Sequence, residues 1–121
     1  MDLAHEMRGA DAAFSHRLIG RVEIAASFGG AGGQPGARMI FHPGARTDWH
    51  SHPAGQTVLV TDGEGLLQRA GGPIEPLQTG DVVWFEPGQR RWFGAAPDAS
   101  LVLIALGGAD VVRMERVDRA A

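Results

Sequence analysis

The chain has 121 residues and a net charge of −3, and it contains no cysteine, lysine, tyrosine or asparagine. This length suits one domain, and the missing residue types exclude disulfides, thiolate metal sites, lysine Schiff bases and tyrosine general acids. Scattered charges of both signs argue against a nucleic-acid partner, and the lack of a long apolar run favours a cytoplasmic protein without a membrane partner.

Short apolar stretches alternate with glycine and proline turns along the chain. Residues 1–16 are mixed and are interpreted as an N-terminal arm, and residues 17–121 as a single barrel domain. Turns are predicted at Thr61–Gly65 and at Glu86–Gln89, each either hairpin-like or crossing between sheets. Such spacing predicts an all-β antiparallel barrel or jelly roll of six to ten strands. The predicted strands lie in RLIGRVEIAASF, ARMIFHPG, QTVLV, GLLQRA, PIEPLQTGD, VVWF, RRWFGA, LVLIAL and ADVVRMERV.

Two of these strands, QTVLV and LVLIAL, are apolar on both faces. The outer wall of a barrel in water does not need a second apolar face. We therefore expect a homodimer, in which a second copy covers one outer face. The three tryptophans, Trp49, Trp84 and Trp92, are expected in the core or in that interface.

The segment HPGARTDWHSHPAGQ contains three of the five histidines. In an extended chain residues i and i+2 share a face, so His50 and His52 project together, and Gln56 has the parity to face the barrel interior. Two imidazole nitrogens and one amide oxygen suit Mn, Fe, Ni or Zn. On spacing alone, such a histidine pair is more often a surface or structural feature, and a glutamine near a turn is more often solvated. His42 lies opposite Phe41 by alternation and is expected outside the barrel.

The stretch GARTDWHSHPAGQTVLVTDG resembles the first motif of the cupin superfamily, and GDVVWFEPGQRR is similar to the second. From about Gly36 to Gly107 the chain looks like small single-domain cupins that resemble the manganese-dependent bacterial hydroxynitrile lyases. The resemblance implies a β-barrel of two antiparallel sheets, usually dimeric. It also implies a metal ion inside the barrel, held by His50, His52 and Gln56.

The chain departs from the general cupin motifs at Gln56, where cupins usually have glutamate, and at Glu86, where the second motif has proline. It departs from the subgroup at three further places, and the first is Arg91, which stands at the histidine that is the fourth ligand. Phe93 and Leu103 replace two further polar histidines of the subgroup. The resulting substrate pocket is predicted to be apolar, with Arg91 as its one guanidinium, and to be lined by Met39, Phe41, Thr47, Phe93, Leu101 and Leu103.

Arg91 cannot ligate a metal because its side chain stays protonated. Pointed inward, it would repel a divalent cation and hold a carboxylate or another anion bidentately. Pointed outward, as part of a surface pair with Arg90, it would leave a three-ligand site that water completes. The sequence leaves both orientations open. In either case we expect at most one weakly held divalent ion and no organic cofactor.

Three functions fit these residues. The first is a metal-assisted lyase or related enzyme acting on a small organic substrate. The second is a metal-free cyclase or isomerase, in which Arg91 anchors a substrate carboxylate and His50 or His52 is the general acid or base. The third is a non-catalytic cupin that only binds a small molecule.

Overall fold

The structure is a computed structural model that describes residues 18–28, 36–107 and 112–115. The predicted arm at 1–16 lies outside the described residues, and so do His5 and His16. Within the described ranges the chain forms eleven β-strands and no helix. They are β1 Leu18–Ile19, β2 Val22–Phe28, β3 Gly36–Phe41, β4 Arg46–Thr47, β5 Trp49–Ser51, β6 Gln56–Arg69, β7 Ile74–Gln78, β8 Val82–Phe85, β9 Arg91–Ala95, β10 Leu101–Gly107 and β11 Val112–Glu115.

The strands form one nearly closed antiparallel barrel. The main order is β1-β4-β9-β6-β10-β3-β2, with β7 and β8 also paired to β6, and β5 paired to β9 and β11. This confirms the all-β barrel expected from the turn spacing. The described residues contain more strands than the six to ten predicted. One reason is that RLIGRVEIAASF is interrupted at Gly20, whose φ is +84°.

The long strand β6 joins the two halves of the barrel. Its first part pairs with β8 and β10, and its second part pairs with β7 and β9. The predicted turn at Thr61–Gly65 is therefore a crossing between sheets, and QTVLV and GLLQRA are one strand. Gly63 has a φ of +87°, and a Cβ there would lie 2.0 Å from the Ser100 carbonyl oxygen. Glycine is required for the crossing because no side chain fits.

The turn at Glu86–Gln89 is also a crossing. It leads from β8, which pairs with the first part of β6, to β9, which pairs with the second part. The Gly88 N–H donates to the carbonyl oxygen of His52 at 3.0 Å, and the Gln89 N–H donates to Glu86 at 3.0 Å. The turn therefore fastens the second sequence motif to the histidine segment.

The core lies between the two sheets. Alternate residues of β3, β6 and β10 are buried, as expected for strands with one face inward. On the outer side, Val82 is 66% exposed and Trp84 is 51% exposed. No helix among the described residues is long and apolar enough to cross a membrane. The buried cluster contains Ile24, Ala37, Met39, Phe41, Ala45, Val58, Val60, Leu67, Leu77, Phe85, Phe93, Ala95, Leu101, Leu103 and Ala105.

Candidate functional site

His50 lies in the middle of β5 and is only 4% exposed. Its Nδ1 is 2.9 Å from the carbonyl oxygen of Asp48. A carbonyl oxygen only accepts, so Nδ1 is the donor in this contact. Proton exchange or coordination of an ion at this ring would therefore use Nε2.

His52 follows β5 directly and is completely buried. Its ring lies edge-on to that of His50, with 5.0 Å between the ring centroids and an interplanar angle of 84°. Its backbone oxygen accepts hydrogen bonds from Gly55 and Gly88, which holds the loop after β5 in place. The two histidines are therefore neighbours in the interior, as their i, i+2 spacing predicted.

Arg91 begins β9 and points into the barrel, which decides between the two orientations that the sequence left open. It is 0% exposed, and its guanidinium carbon lies 4.4 Å from the centroid of the Phe85 ring. Nη2 donates to Oε1 of Gln56, and Nη1 donates to the Gln89 carbonyl oxygen at 3.2 Å. Arg91 is also the Cα partner of His50 across β5 and β9. Cross-strand partners share a face, so the Arg91 side chain lies on the same side of the sheet as His50. Its guanidinium reaches Gln56 from there.

The charge of Arg91 is poorly compensated inside the barrel. Burial lowers the pKa of its guanidinium to about 9, and the positive charge of Arg69 lowers that pKa as well. The group is still protonated at neutral pH. No carboxylate in the described part of the chain forms an ion pair with it. Buried charges normally have a partner of opposite sign, so this site has a deficit of one negative charge.

Among the buried donors at this place, Nε2 of Gln56 and Nε of Arg91 have no acceptor among the described residues. Gln56 is only 1% exposed. Each unsatisfied buried donor costs about 1–3 kcal/mol. A ligand that brings acceptor oxygens or a negative charge would satisfy both donors and balance the guanidinium.

The walls around these polar groups are apolar. The Phe93 ring lies 5.8 Å from His50, 6.0 Å from Phe41 and 5.8 Å from Phe85, measured between centroids. Thr47 is buried as well, but its Oγ1 accepts a hydrogen bond from the Phe93 N–H at 3.2 Å. Five predicted pocket residues belong to the core cluster, namely Met39, Phe41, Phe93, Leu101 and Leu103.

Sequence analysis missed three residues at the site, namely Phe85, Arg69 and Gln89. The guanidinium of Arg91 lies over the Phe85 ring, and the guanidinium carbon of Arg69 lies 5.1 Å from the centroid of the same ring. Gln89 accepts from Arg91 through its backbone oxygen and from Arg69 Nε through Oε1 at 3.2 Å. Phe85 shares the inward parity of Val83 in VVWF, which was an available signal. Nothing in the sequence signals that Gln89 connects two arginines.

Gln56 also borders a surface pocket of about 370 Å³. Its walls include Gly55, Thr57, Trp84 and Leu106. Gln56 therefore stands between this pocket and Arg91. His42, by contrast, lies away from the site, as predicted, with Nε2 2.5 Å from the Glu23 carboxylate. That hydrogen bond lowers the pKa of Glu23.

The donor set does not fit a divalent ion in this arrangement. Oε1 of Gln56, the oxygen that would bind the ion, already accepts from Nη2 of Arg91. A protonated guanidinium a few ångströms away would repel the ion by about 4 kcal/mol for each unit of its charge, at an effective dielectric constant of about 20. Metal binding by His50, His52 and Gln56 stays a prediction from the sequence, and the position of Arg91 argues against it.

Comparison with known proteins gives one curated relative with a named activity. The chain is 54% identical over 71 residues to an (R)-mandelonitrile lyase of Granulicella tundricola. The matched region is 59% of this chain and 54% of the relative, so the chain spans about half the length of that protein.

Solved structures with the same fold include a cupin-like protein from Thermotoga maritima. It is 34% identical, with a TM-score of 0.80, and the match covers 87% of this chain and 84% of the other. The polyketide cyclase RemF from Streptomyces resistomycificus shares the fold at 16% identity, with a TM-score of 0.61 over 72% of this chain and 62% of the other. The Cupin domain family itself matches residues 37–107, more than half of the sequence. Together with the barrel and its histidine segment, this match shows that the chain belongs to the cupin family.

Proposed function

We propose that the chain is an enzyme that transfers a proton on a small organic acid held inside the barrel, without a metal ion. One observation carries the proposal. Arg91 is a buried guanidinium without a carboxylate partner among the described residues, and it faces the same interior as His50. A small anion with an apolar body complements both the charge and the walls.

The substrate carboxylate binds to the edge of the guanidinium. Nε and Nη2 of arginine lie on one edge and bind a carboxylate as a bidentate pair. Nε2 of Gln56 adds a third donor. The apolar part of the substrate then packs against Phe41 and Phe93, and it excludes water from the reacting atoms.

His50 moves the proton. Nε2 takes a proton from an atom next to the carboxylate, and the electron pair left behind is stabilised by the positive charge of Arg91. The same nitrogen returns the proton to a different atom of the substrate. The substrate gains and loses no atoms overall, so the product is an isomer or a ring-closed form of the substrate. His52 packs against the His50 ring and keeps it oriented.

The 54% identity to an (R)-mandelonitrile lyase favours a second candidate, cleavage of a hydroxynitrile. In that reaction the hydroxyl proton passes to His50, and the carbon–carbon bond breaks with its electron pair leaving as cyanide. His50 then returns the proton, which gives hydrogen cyanide and an aldehyde. Arg91 would face the developing cyanide anion.

The proposed reaction does not require a metal ion. Cupins commonly bind a metal ion. We propose that any divalent Mn, Fe, Ni or Zn on His50, His52 and Gln56 is held weakly in this chain, because Arg91 adds no donor and repels the ion.

A matched ligand pair tests the proposed function. Benzoate and benzamide have nearly the same shape, but only benzoate carries a negative charge that can pair with the Arg91 guanidinium. We expect benzoate to raise the thermal midpoint of the untagged protein and benzamide to leave it unchanged. Arg91→Leu should abolish the benzoate effect, whereas His50→Gln should keep it. Equal effects of both ligands would contradict an anion site.

Turnover assays separate the candidates. Release of benzaldehyde from mandelonitrile, lost in His50→Gln, would establish the lyase. Isomerisation or ring closure within a panel of small aromatic and unsaturated acids, lost in the same variant, would establish the first candidate. Anion binding that survives His50→Gln, with no turnover of any compound, would identify a binding protein and overturn both enzymatic proposals.

A further inference from the structure

We infer that the guanidinium of Arg91 takes the place of the metal ion in this barrel, so that the protein carries a built-in cation and binds a divalent ion at His50, His52 and Gln56 only weakly. The inference does not depend on the proposed reaction, because its tests measure metal binding and not turnover. It rests on the position of Arg91, on its charge and on the contacts that hold it.

The position of Arg91 brings it into competition with an ion for one atom. Nη2 donates to Oε1 of Gln56. A metal held by the two histidines and by Gln56 would need a lone pair of the same oxygen and the space next to it. Because His50 and Arg91 are paired across β5 and β9, the guanidinium also approaches from the side of the histidines. The amide oxygen has a second lone pair, but an ion bound there would lie close to the guanidinium, so metal and guanidinium compete at this glutamine.

The positive charge of Arg91 also opposes the binding of a divalent cation. Burial reduces the solvent screening between the guanidinium and an incoming cation. The guanidinium already supplies one positive charge, and no nearby carboxylate among the described residues offsets it. Adding a divalent ion would bring three positive charges into an apolar interior. Two imidazole rings and one amide oxygen carry no negative charge that could balance them.

Arg91 is also held in place, so it cannot easily turn away to admit an ion. Nη1 donates to the backbone oxygen of Gln89, and the guanidinium lies against the Phe85 ring. The Gln89 side chain is itself fixed by Arg69 and by the Glu86 N–H, which donates to Oε1 at 3.4 Å. Moving the guanidinium outward would break these contacts. It would also leave Oε1 of Gln56 without its donor.

The experiment compares metal binding by the untagged native protein with that of Arg91→His, Arg91→Gln and Arg91→Leu. Arg91→His removes the charge and adds a fourth nitrogen donor. Arg91→Gln removes the charge and keeps an amide of similar reach, and Arg91→Leu removes the charge without adding a donor. Bound Mn²⁺ is measured by electron paramagnetic resonance, and total metal is measured by elemental analysis after dialysis.

We expect the native protein to bind Mn²⁺ most weakly and Arg91→His most tightly, with a Kd lower by at least about tenfold, which equals about 1.4 kcal/mol. Adding His50→Ala to Arg91→His should abolish that gain. Circular dichroism and thermal unfolding establish that each variant is folded. If Arg91→His does not fold, tighter Mn²⁺ binding by Arg91→Gln than by the native protein supports the inference. A native protein that holds one equivalent of Mn²⁺ as tightly as the folded variants overturns it.

Discussion

Arg91 is the residue on which the proposed function of this barrel rests. It is tolerated in the interior because Gln56 and Gln89 accept two of its hydrogen bonds and Phe85 offers the face of its ring. These contacts are neutral, so they orient the guanidinium without cancelling its charge. We therefore expect the site to attract anions and to disfavour cations.

The depressed pKa of Arg91 predicts a pH dependence of stability. Because the pKa is about 9 in the folded protein and higher in the unfolded chain, the unfolded state binds more protons above pH 9. Stability should then rise with pH relative to Arg91→Leu, by up to about 1.4 kcal/mol per pH unit. Below pH 9 the guanidinium is charged in both states, and the difference between the two proteins should be constant.

Urea unfolding of both proteins, followed by tryptophan fluorescence between about pH 7 and pH 10.5, measures this difference. The other arginines are the same in both proteins and cancel. A difference that stays flat through the whole range would mean that Arg91 keeps its proton.

Thr47 was predicted as a pocket residue, and its contact suggests a structural contribution. Thr47→Val keeps the shape but removes the acceptor of the buried Phe93 N–H, so we expect a loss of about 1–3 kcal/mol in unfolding free energy. Thr61→Val is the control, because the Thr61 hydroxyl donates to Val102 at an exposed position and its loss should cost no more than about 0.5 kcal/mol. Equal losses in denaturant unfolding would contradict the structural role.

The sequence predicted the interior position of three residues of the candidate site but not the orientation of the fourth, Arg91. Strand alternation and motif spacing place His50, His52 and Gln56 in the interior, since both depend only on local geometry. The orientation of Arg91 could not be predicted. It depends on how the turn at Glu86–Gln89 is fastened, and that turn is tied to His52 by a hydrogen bond between residues far apart in sequence.

At the scale of elements, β6 is the strand that determines the shape of the barrel. Its two apolar parts were recognised in the sequence as the separate strands QTVLV and GLLQRA. The segment between them, TDGEG, has the composition of a turn, and local propensity alone would reverse the chain there. The chain continues instead, because both parts of β6 find partners on each side. Such pairing is a tertiary effect that a single sequence does not display.

The crossing in β6 requires glycine at position 63, so we expect a side chain there to destabilise the protein. Gly63→Ala would force a Cβ to 2.0 Å from the Ser100 carbonyl oxygen at a φ of +87°. We expect it to destabilise the protein by more than about 3 kcal/mol or to prevent folding. Gly71→Ala is the matched control, with a φ of +82° and no atom within 4 Å of its Cβ, and should cost only about 1 kcal/mol. Similar thermal midpoints for the two variants would contradict the steric argument.

At the scale of the whole molecule, the outer face of one sheet is apolar. Val82 on β8 pairs with Leu59 on β6, which pairs in turn with Ile104 on β10. Val82 is 66% exposed and the other two are half-buried. This row runs across three strands of the sheet. We propose that a second copy of the chain covers it, because the same row on two copies can pack face to face about a twofold axis.

The dimer proposal is tested by placing a charge on that row. Val82→Glu should shift the protein from twice the mass of one chain to that of a single chain in analytical ultracentrifugation at micromolar concentration, because an unpaired carboxylate would be buried in the interface. Ile74→Glu is the control, since Ile74 is 44% exposed but lies on the edge strand β7, away from the row. It should leave the dimer intact. A native protein that sediments as a single chain would refute the proposal, whereas a native dimer unaffected by Val82→Glu would mean that the copies meet through another surface.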